Sequence, residues 1–383
     1  MPWVVNNVMS QRHEFISLAT SEQSNIADLC RRFKISRTTG YKWLRRYKHQ
    51  PTVDSLSDYS KRPKSSPYEI SADIQHIFIT LRQQYPYWGA RKLMILAKEA
   101  HPGMSLPCER TVSRILQRAG LLQPDSPKGI AYQRFEYARP NDLWQMDYKG
   151  EFKLTTGSYC YPLTVSDDHS RFNIVLDAHS GTRNAPVKQS LTNVFRLYGL
   201  PERMLMDRGL TWYSVGDDKH HWTKLTVWLM RLGIRVIHAR AYHPQTLGKE
   251  ERFHRTLKRE LLSRNTFESL SSTQTAFNRY RHEYNCVRPH EAIGLRRPHE
   301  LYRPSSRVFP RKLAPIDYPK DVLVKRVGFK GWMWYKGNEW RIHKGLEGEY
   351  VQLKVRGDDQ VEVRYINTLV RILNLRTKTS HRV

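Results

Sequence analysis

The spacing of apolar residues changes twice along the chain, and that change restricts the fold more than any single motif does. From about Ser24 to Leu122 apolar residues recur at helical spacing. From about Arg139 short strand-like runs alternate with helical ones, and beyond about Lys320 only short strand-like runs remain, separated by Gly, Asn and Asp. No single packed layer accommodates all three textures, and 383 residues exceed one ordinary core. The reading is a multidomain α+β protein.

The first block, residues 1–50, contains "SNIADLCRRFKISRTTGYKWLRRYKHQ". Ile26, Leu29, Cys30 and Phe33 fall on one helical stripe, "FKIS" interrupts it, and a second helix is predicted to begin near Arg37. On that helix Tyr41 and Leu44 are expected on the buried side. Arg37 opens the helix, and Thr38, Lys42 and Arg45 share an outward, basic face. This is the layout of a helix-turn-helix whose second helix enters a DNA major groove. Residues 51–68, rich in Ser, Pro and Lys, are predicted to be a linker. Its Lys61, Arg62 and Lys64 suit either phosphate tracking or plain solvation. Residues 69–123 give three more helices. One carries the stripe Ile74, Ile77, Phe78 and Leu81, one is "WGARKLMILAKEA", and "CERTVSRILQRAGLL" is closed by Gly120. A second helix-turn-helix domain is expected, in tandem with the first.

Charge narrows the partner. Lys and Arg number 64 against 36 Asp and Glu, a formal net charge of +28. Such an excess points to a polyanion, with double-stranded DNA the natural one. Four well-separated cysteines without a CxxC pair argue against a disulfide framework and a cysteine zinc site, and fit a reducing compartment. No run suits a bilayer span, and the opening "MPWVVNNVMS" has no signal-peptide character. The expectation is therefore a protein of the bacterial cytoplasm, associated with the nucleoid and not with membrane.

In residues 138–305, "LWQMDYKGEFKL", "YPLTVSDDHS" and "RFNIVLDAHS" read as three strands of a meander, followed by alternating helices and strands. The result is a mixed sheet covered by helices. Residues 320–375 read as a small β-barrel. Its Lys330, Trp332, Trp334, Lys336 and Arg341 suit DNA-backbone contacts, or the tryptophans suit the barrel core.

Three carboxylates stand out. Asp147 lies in an apolar strand, where an unpaired charge is costly and folding alone would not select it. Asp207 ends the apolar run "MLM", at the strand edge where open α/β sheets place ligand groups. The third is a glutamate of "HPQTLGKEERFHRTLKRE". Helical geometry puts Glu250 near the Phe253, Leu257 and Leu261 stripe, and Glu251 about 100° away beside Arg255 and Lys258, which leaves both open. Carboxylates from separate elements suit Mg²⁺, and two such ions about 4 Å apart can clamp a phosphoryl transfer. The paired Asp167 and Asp168 read as a turn between strands, and His220 and His221 as loop residues.

The segments "WQMDYKGEF", "YPLTVSDDHSRF", "MLMDRG", "HPQTLGKEERFHRTLK" and "RPHEAIGLRRPHEL" resemble the core of insertion-sequence transposases of the retroviral-integrase (DDE) superfamily. The resemblance covers roughly half the chain, with the motifs in the same order. It implies a ribonuclease-H-like catalytic core with tandem helix-turn-helix domains before it and a small SH3-like barrel after it. It implies Asp147, Asp207 and Glu251 as catalytic residues and ligands of two Mg²⁺ (or Mn²⁺) ions, Glu251 being third after the glycine of the "PQxxGxxE" pattern. Lys249, Arg255 and Lys258 would contact the DNA end. The implied enzyme is a multimeric transposase that binds element ends, hydrolyses a phosphodiester to free a 3′-hydroxyl, and joins it to target DNA. The alternatives are a catalytically lapsed DNA-binding descendant, or a ribonuclease-H-type nuclease. Three departures are visible. Glu251 lies 44 positions after Asp207, with "YSVGDDKHHW" as the inserted loop, Arg208 replaces a usual asparagine, and Leu247 replaces a usual polar residue.

Overall fold

The computed structural model describes residues 7–21, 24–59, 69–122, 136–215, 220–239 and 248–382. Lys61, Arg62, Lys64 and Leu247 lie outside the described residues, as does part of the loop "YSVGDDKHHW". The chain divides into two compact units, Met1–Ile70 and Ser71–Val383.

The first unit holds three helices, α1 (Val8–Ala19), α2 (Ile26–Arg32) and α3 (Arg37–His49). Asn7, Asn25 and Ser36 cap them, each side chain accepting from backbone amides of the first turn. Helix α1 supplies Phe15, Ile16 and Ala19 to the core. On α3 the buried residues are Gly40, Trp43 and Leu44, while Tyr41 stands exposed beside Lys42. The expectation for Tyr41 is thereby corrected. Gly40 explains the rotation, because a Cβ there would meet Cys30 Sγ at 2.6 Å, so α2 and α3 approach along the glycine. The stretch after α3 is not all linker. Leu56 in a 3-10 turn, Val53–Leu56, is completely buried, and the Arg12 guanidinium donates to the Leu56 carbonyl and to Asp58.

The second unit begins with α4 (Ala72–Gln84), α5 (Ala90–Ala100) and α6 (Glu109–Arg118), packed around Phe78, Trp88, Leu93, Val112 and Leu116. Arg82 ties them internally, donating to the carbonyls of Trp88 and Leu121. Gly120, at φ +70°, closes the last helix as its sequence position implied.

A mixed sheet follows: β1 (Trp144–Tyr148), β2 (Phe152–Lys153), β3 (Tyr159–Asp167), β4 (Asn173–His179), then α7 (Asn184–Tyr198), β5 (Arg203–Met206), α8 (Lys224–Arg231), β6 (Arg235–His238), α9 (Gly248–Glu260) and α10 (Leu270–His282). The run "LWQMDYKGEFKL" is two strands and not one, broken at Gly150, whose φ is +86°. β1, β3 and β4 form the antiparallel meander; β5 then pairs parallel with β1, and β6 parallel with β5. One apolar core, including Trp144, Met146, Val165, Leu191, Phe195, Met204 and Leu229, lies between this sheet and α7 and α8. A second, with Leu176, Phe253, Leu257, Phe277 and Tyr280, lies under α9 and α10.

The last elements after the short helix α11 (Pro298–Leu301) are β7 (Leu323–Arg326), β8 (Trp332–Tyr335), β9 (Asn338–Arg341), β10 (Tyr350–Arg356), β11 (Gln360–Tyr365), β12 (Thr368–Asn374) and β13 (Thr379–Arg382). They are strands, as the periodicity indicates, but their pairing does not close into a barrel. Among the described residues the order is a five-stranded antiparallel sheet, β13-β12-β11-β10-β7, and a separate hairpin, β8-β9. The two share one core, in which Met333, Tyr335 and Trp340 of the hairpin meet Val351, Leu353, Val361 and Val363 of the sheet. Trp222 and Val227, the latter on α8, complete that core.

Candidate active site

The parallel pairing of β1 and β5 places Met146 opposite Met206. The residues that follow them, Asp147 and Asp207, therefore emerge at the same end of neighbouring strands. Asp147 is next to last in its strand and half-buried. Burial, followed by the charges of Asp207 and Glu250, pushes its carboxyl up to about 8, against an opposing hydrogen bond from the Tyr148 amide; Glu251 adds to the rise. Burial is the larger part of that rise, and three neighbouring carboxylates add to it.

Asp207 is held by its own loop. The Trp212 indole N–H donates to Oδ1 at 2.6 Å and the Gly209 amide donates to the same oxygen at 2.9 Å. A Cβ on Gly209 would sit 3.0 Å from that oxygen, so any larger residue crowds the carboxylate. Trp212 stacks on Tyr148, with ring centres 5.6 Å apart and planes 7° apart, and so ties the Asp207 loop to the residue beside Asp147.

Helix α9 delivers the glutamates, and it packs against β1 and β3. Glu250 is completely buried; its Oε2 accepts from the Thr164 hydroxyl at 2.9 Å, while Oε1 has no hydrogen-bond partner among the described residues. Burial pushes its carboxyl up to about 7, with Ser166 and Thr164 opposing. The neutral ring of His254 closes the arrangement, its Nε2 lying 2.7 Å from Thr164 Oγ1 and its Nδ1 3.9 Å from Asp147 Oδ2. Burial and Lys149 depress His254 to about 3, so its contacts with the carboxylates are not ion pairs at neutral pH. Glu251, by contrast, points to solvent, together with Arg255 and Lys258.

The fit to divalent cations rests on this crowding. A cation beside Asp147 would relieve the repulsion that raises its carboxyl, and hard oxygen donors are what Mg²⁺ takes. Among the described residues, no three His, Cys, Asp or Glu side chains are gathered as a formed metal site, so the carboxylates converge without closing on one point.

The remaining candidates separate clearly. Asp167 and Asp168 are buried but occupied. Asp167 accepts from the Ser170 amide at 2.8 Å, the Ser170 hydroxyl at 2.5 Å and the Asn141 amide at 2.7 Å. Asp168 accepts from the Tyr137 amide and Gln145, and pairs with Lys249 Nζ at 2.5 Å. Asp167 ends β3 and Asp168 opens the turn that follows. Lys249, expected to contact DNA, has its ammonium in an ion pair with buried Asp168. Arg208 is also used by the fold, its Nε donating to the Ala239 carbonyl. His220 and His221 are loop residues, with ring nitrogens 3.0 Å from the Leu369 carbonyl and 2.9 Å from the Ser214 carbonyl. In the first unit Arg37, Thr38, Tyr41, Lys42 and Arg45 are all exposed on α3. Sequence reasoning missed Trp212, Gly209, Thr164 and His254; only "DRG", with glycine two residues after an aspartate, carried a local signal.

A mixed sheet with paired aspartates at one strand edge and a carboxylate-bearing helix beside it defines an integrase-type core. Comparison with known families agrees. Two descriptions of "Integrase core domain" match residues 138–244 and 232–298, "Helix-turn-helix domain" matches 11–64 and "Homeodomain-like domain" matches 39–116. An insertion element IS407 protein of Burkholderia multivorans is 24% identical over 252 residues, covering 64% of this chain and 85% of the relative. An IS476 protein of Xanthomonas euvesicatoria is 24% identical over 221 residues, covering 56% and 60%. The HTLV-2 integrase catalytic core, solved in complex with magnesium, is 14% identical with a TM-score of 0.33, over 43% of this chain and 97% of that one. The chain belongs with the insertion-sequence transposases of the retroviral-integrase superfamily. Among the described residues no helix is long and apolar enough to cross a membrane.

Proposed function

We propose that the protein is a DNA transposase that frees a 3′-hydroxyl at each element end and joins it to target DNA. The observation that carries this is the convergence of Asp147 and Asp207 on adjacent strands, with Glu250 and Glu251 close enough to raise the Asp147 carboxyl. Asp147, Asp207 and Glu251 would hold the cations. Glu251 is preferred over Glu250 because a ligand must reach ions that also meet DNA. Glu250 is sealed beneath the helix, while Glu251 is open. Two divalent cations, Mg²⁺ or Mn²⁺, would supply the positive charge that stabilises attacking and leaving oxygens in phosphoryl transfer.

The chain's own part is placement. Trp212 and Gly209 fix the Asp207 carboxylate, the Tyr148–Trp212 stack holds the two aspartate-bearing elements in register, and Thr164 anchors α9 through Glu250. Arg255 and Lys258, exposed beside Glu251, are suited to the phosphates of an element end. The exposed face of α3, with Arg37, Thr38, Lys42 and Arg45, is suited to reading a duplex groove. A multimer would hold two ends together.

The test is insertion frequency from a donor plasmid carrying the gene with its flanking DNA. Insertion by the wild type and none by Glu251→Gln, with DNA binding retained, is the expected result. Insertion by Glu251→Gln at the wild-type frequency would overturn the assignment.

A further inference from the structure

The β8-β9 hairpin carries a second kind of nucleic-acid surface. Along β8 the burial alternates: Met333 and Tyr335 face the shared core, whereas Trp332 and Trp334 face outward, Trp334 being 66% exposed. Phe329, just before the strand, is 73% exposed. The core role expected of a tryptophan is filled in this hairpin by Trp340, with Tyr335 beside it; Trp340 is buried opposite Met333, and its indole donates to the Tyr335 carbonyl. The outward tryptophans are therefore surplus to packing, and large aromatics left in water mark an interaction surface.

Two lysines say what kind. Lys330 has φ +52° and Lys336 φ +45°, and each is followed by a glycine of positive φ, Gly331 at +87° and Gly337 at +72°. Lys336–Gly337 is the two-residue loop of the hairpin, and at its first position such turns favour Asn, Asp or Gly. Lysine is not favoured at these left-handed positions, and both ammonium groups lie over aromatic rings, Lys330 over Phe329 and Lys336 over Tyr335. Both are exposed, as are Arg341, directly across from Trp332, and Lys344; the one acidic residue on this outer face is Glu339, across from Trp334. Aromatic planes interleaved with cations are the chemistry that binds unpaired nucleotides, rings stacking on bases and ammonium groups on phosphates.

We propose that the outer face of this hairpin, centred on Trp332 and Trp334, is a stacking platform for unpaired DNA bases, such as those exposed when a duplex end opens. The proposal rests on the reading of the protein as a DNA-processing enzyme, but it concerns a surface apart from the carboxylates.

The experiment measures affinity of the full chain for an oligothymidylate and for a blunt duplex of the same length, with strand cleavage assayed in parallel. W332A/W334A should weaken oligothymidylate binding about tenfold or more, as loss of base–aromatic stacking does, and leave the duplex affinity unchanged. K336N, which suits the turn better, should weaken oligothymidylate binding while holding or raising the melting temperature. Equal losses on both DNAs, or no loss on either, would overturn the platform. So would an unchanged oligothymidylate affinity accompanied by a shift in the protein's own sedimentation, which would make this face a protein interface. Wild-type cleavage without single-strand preference would remove the platform alone, whereas absence of cleavage would remove the parent reading.

Discussion

Two pairs of aspartates lie at strand ends of the same sheet and differ in burial and in hydrogen-bond donors. Asp167 and Asp168 are the more buried, yet every carboxylate oxygen in that pair has a donor: Ser170 and Asn141 on one residue, Tyr137, Gln145 and Lys249 on the other. Asp147 and Asp207 are less buried and less well served. Asp147 takes one amide and faces three other carboxylates. Burial alone therefore does not distinguish a working carboxylate from a structural one; the balance of donors against like charges does.

The largest difference should appear in cleavage. Asp147→Asn, Asp207→Asn or Glu251→Gln is expected to lower strand cleavage by at least about a thousandfold, with duplex binding retained in a gel-shift measurement. Asp167→Asn should instead lower activity only as far as it lowers the folded fraction. A folded, DNA-binding Asp167→Asn protein that cannot cleave would break the comparison.

Next in size is stability. Asp168→Ala removes a buried carboxylate that pairs with Lys249 and accepts from the Tyr137 amide and Gln145, and breaking such a buried pair costs about 3–5 kcal/mol. Denaturant unfolding should show that loss, while Glu251→Gln should show almost none.

A smaller effect separates the pairs by pH. In the metal-free protein Asp147 is raised from 3.8 to about 8, so the folded state holds a proton that the unfolded chain has released. The stability from that proton is complete below about pH 4 and is lost as pH rises toward 8. Thermal melts should fall across this window by the equivalent of roughly 2–4 kcal/mol. Asp147→Asn should flatten the fall, and added Mg²⁺ should offset it most at the alkaline end. A pH profile identical in wild type and Asp147→Asn would contradict the crowding.

The smallest test is Gly209→Ala. The added Cβ meets Asp207 Oδ1 at 3.0 Å, so cleavage should drop about tenfold for a displacement worth about 1.4 kcal/mol, with melting unchanged. Full activity in Gly209→Ala would mean that the Asp207 carboxylate tolerates movement.

How much of this could be read from the chain differs by residue. Asp147 betrayed itself because a charge in an apolar strand contradicts local preference, and Asp207 because it closes such a strand. Helical angle sets Glu250 by the packed stripe and Glu251 about 100° away but does not say which is the ligand; that choice comes from the resemblance, and the full burial of one and exposure of the other is a tertiary fact. Thr164 reaches the site from β3 and Trp212 folds back onto Asp207 from the loop after it, and no periodicity reports such meetings; His254 follows Glu250 by one turn of α9, but its approach to Thr164 is tertiary. The helices and strands themselves followed their apolar periods closely. Pairing did not: short antiparallel strands with glycine turns are compatible with a closed barrel and with an open sheet plus hairpin. Which one forms depends on edge-to-edge contacts that alternation does not encode. Tyr41 was misplaced because Gly40, which has no side chain to count as apolar, marks the close-packed side of its helix.

The apolar centre beneath the C-terminal sheet has a further consequence for how such proteins diversify. Trp222 and Val227 belong to it, Arg231 of α8 pairs with Glu349 at 2.8 Å, and the His220 ring bonds to the Leu369 carbonyl. A chain cut after the integrase match at residue 298 would lay bare the α8 side of that centre. A terminal sheet exchanged into this chain would therefore need an α8 whose outer surface matched it.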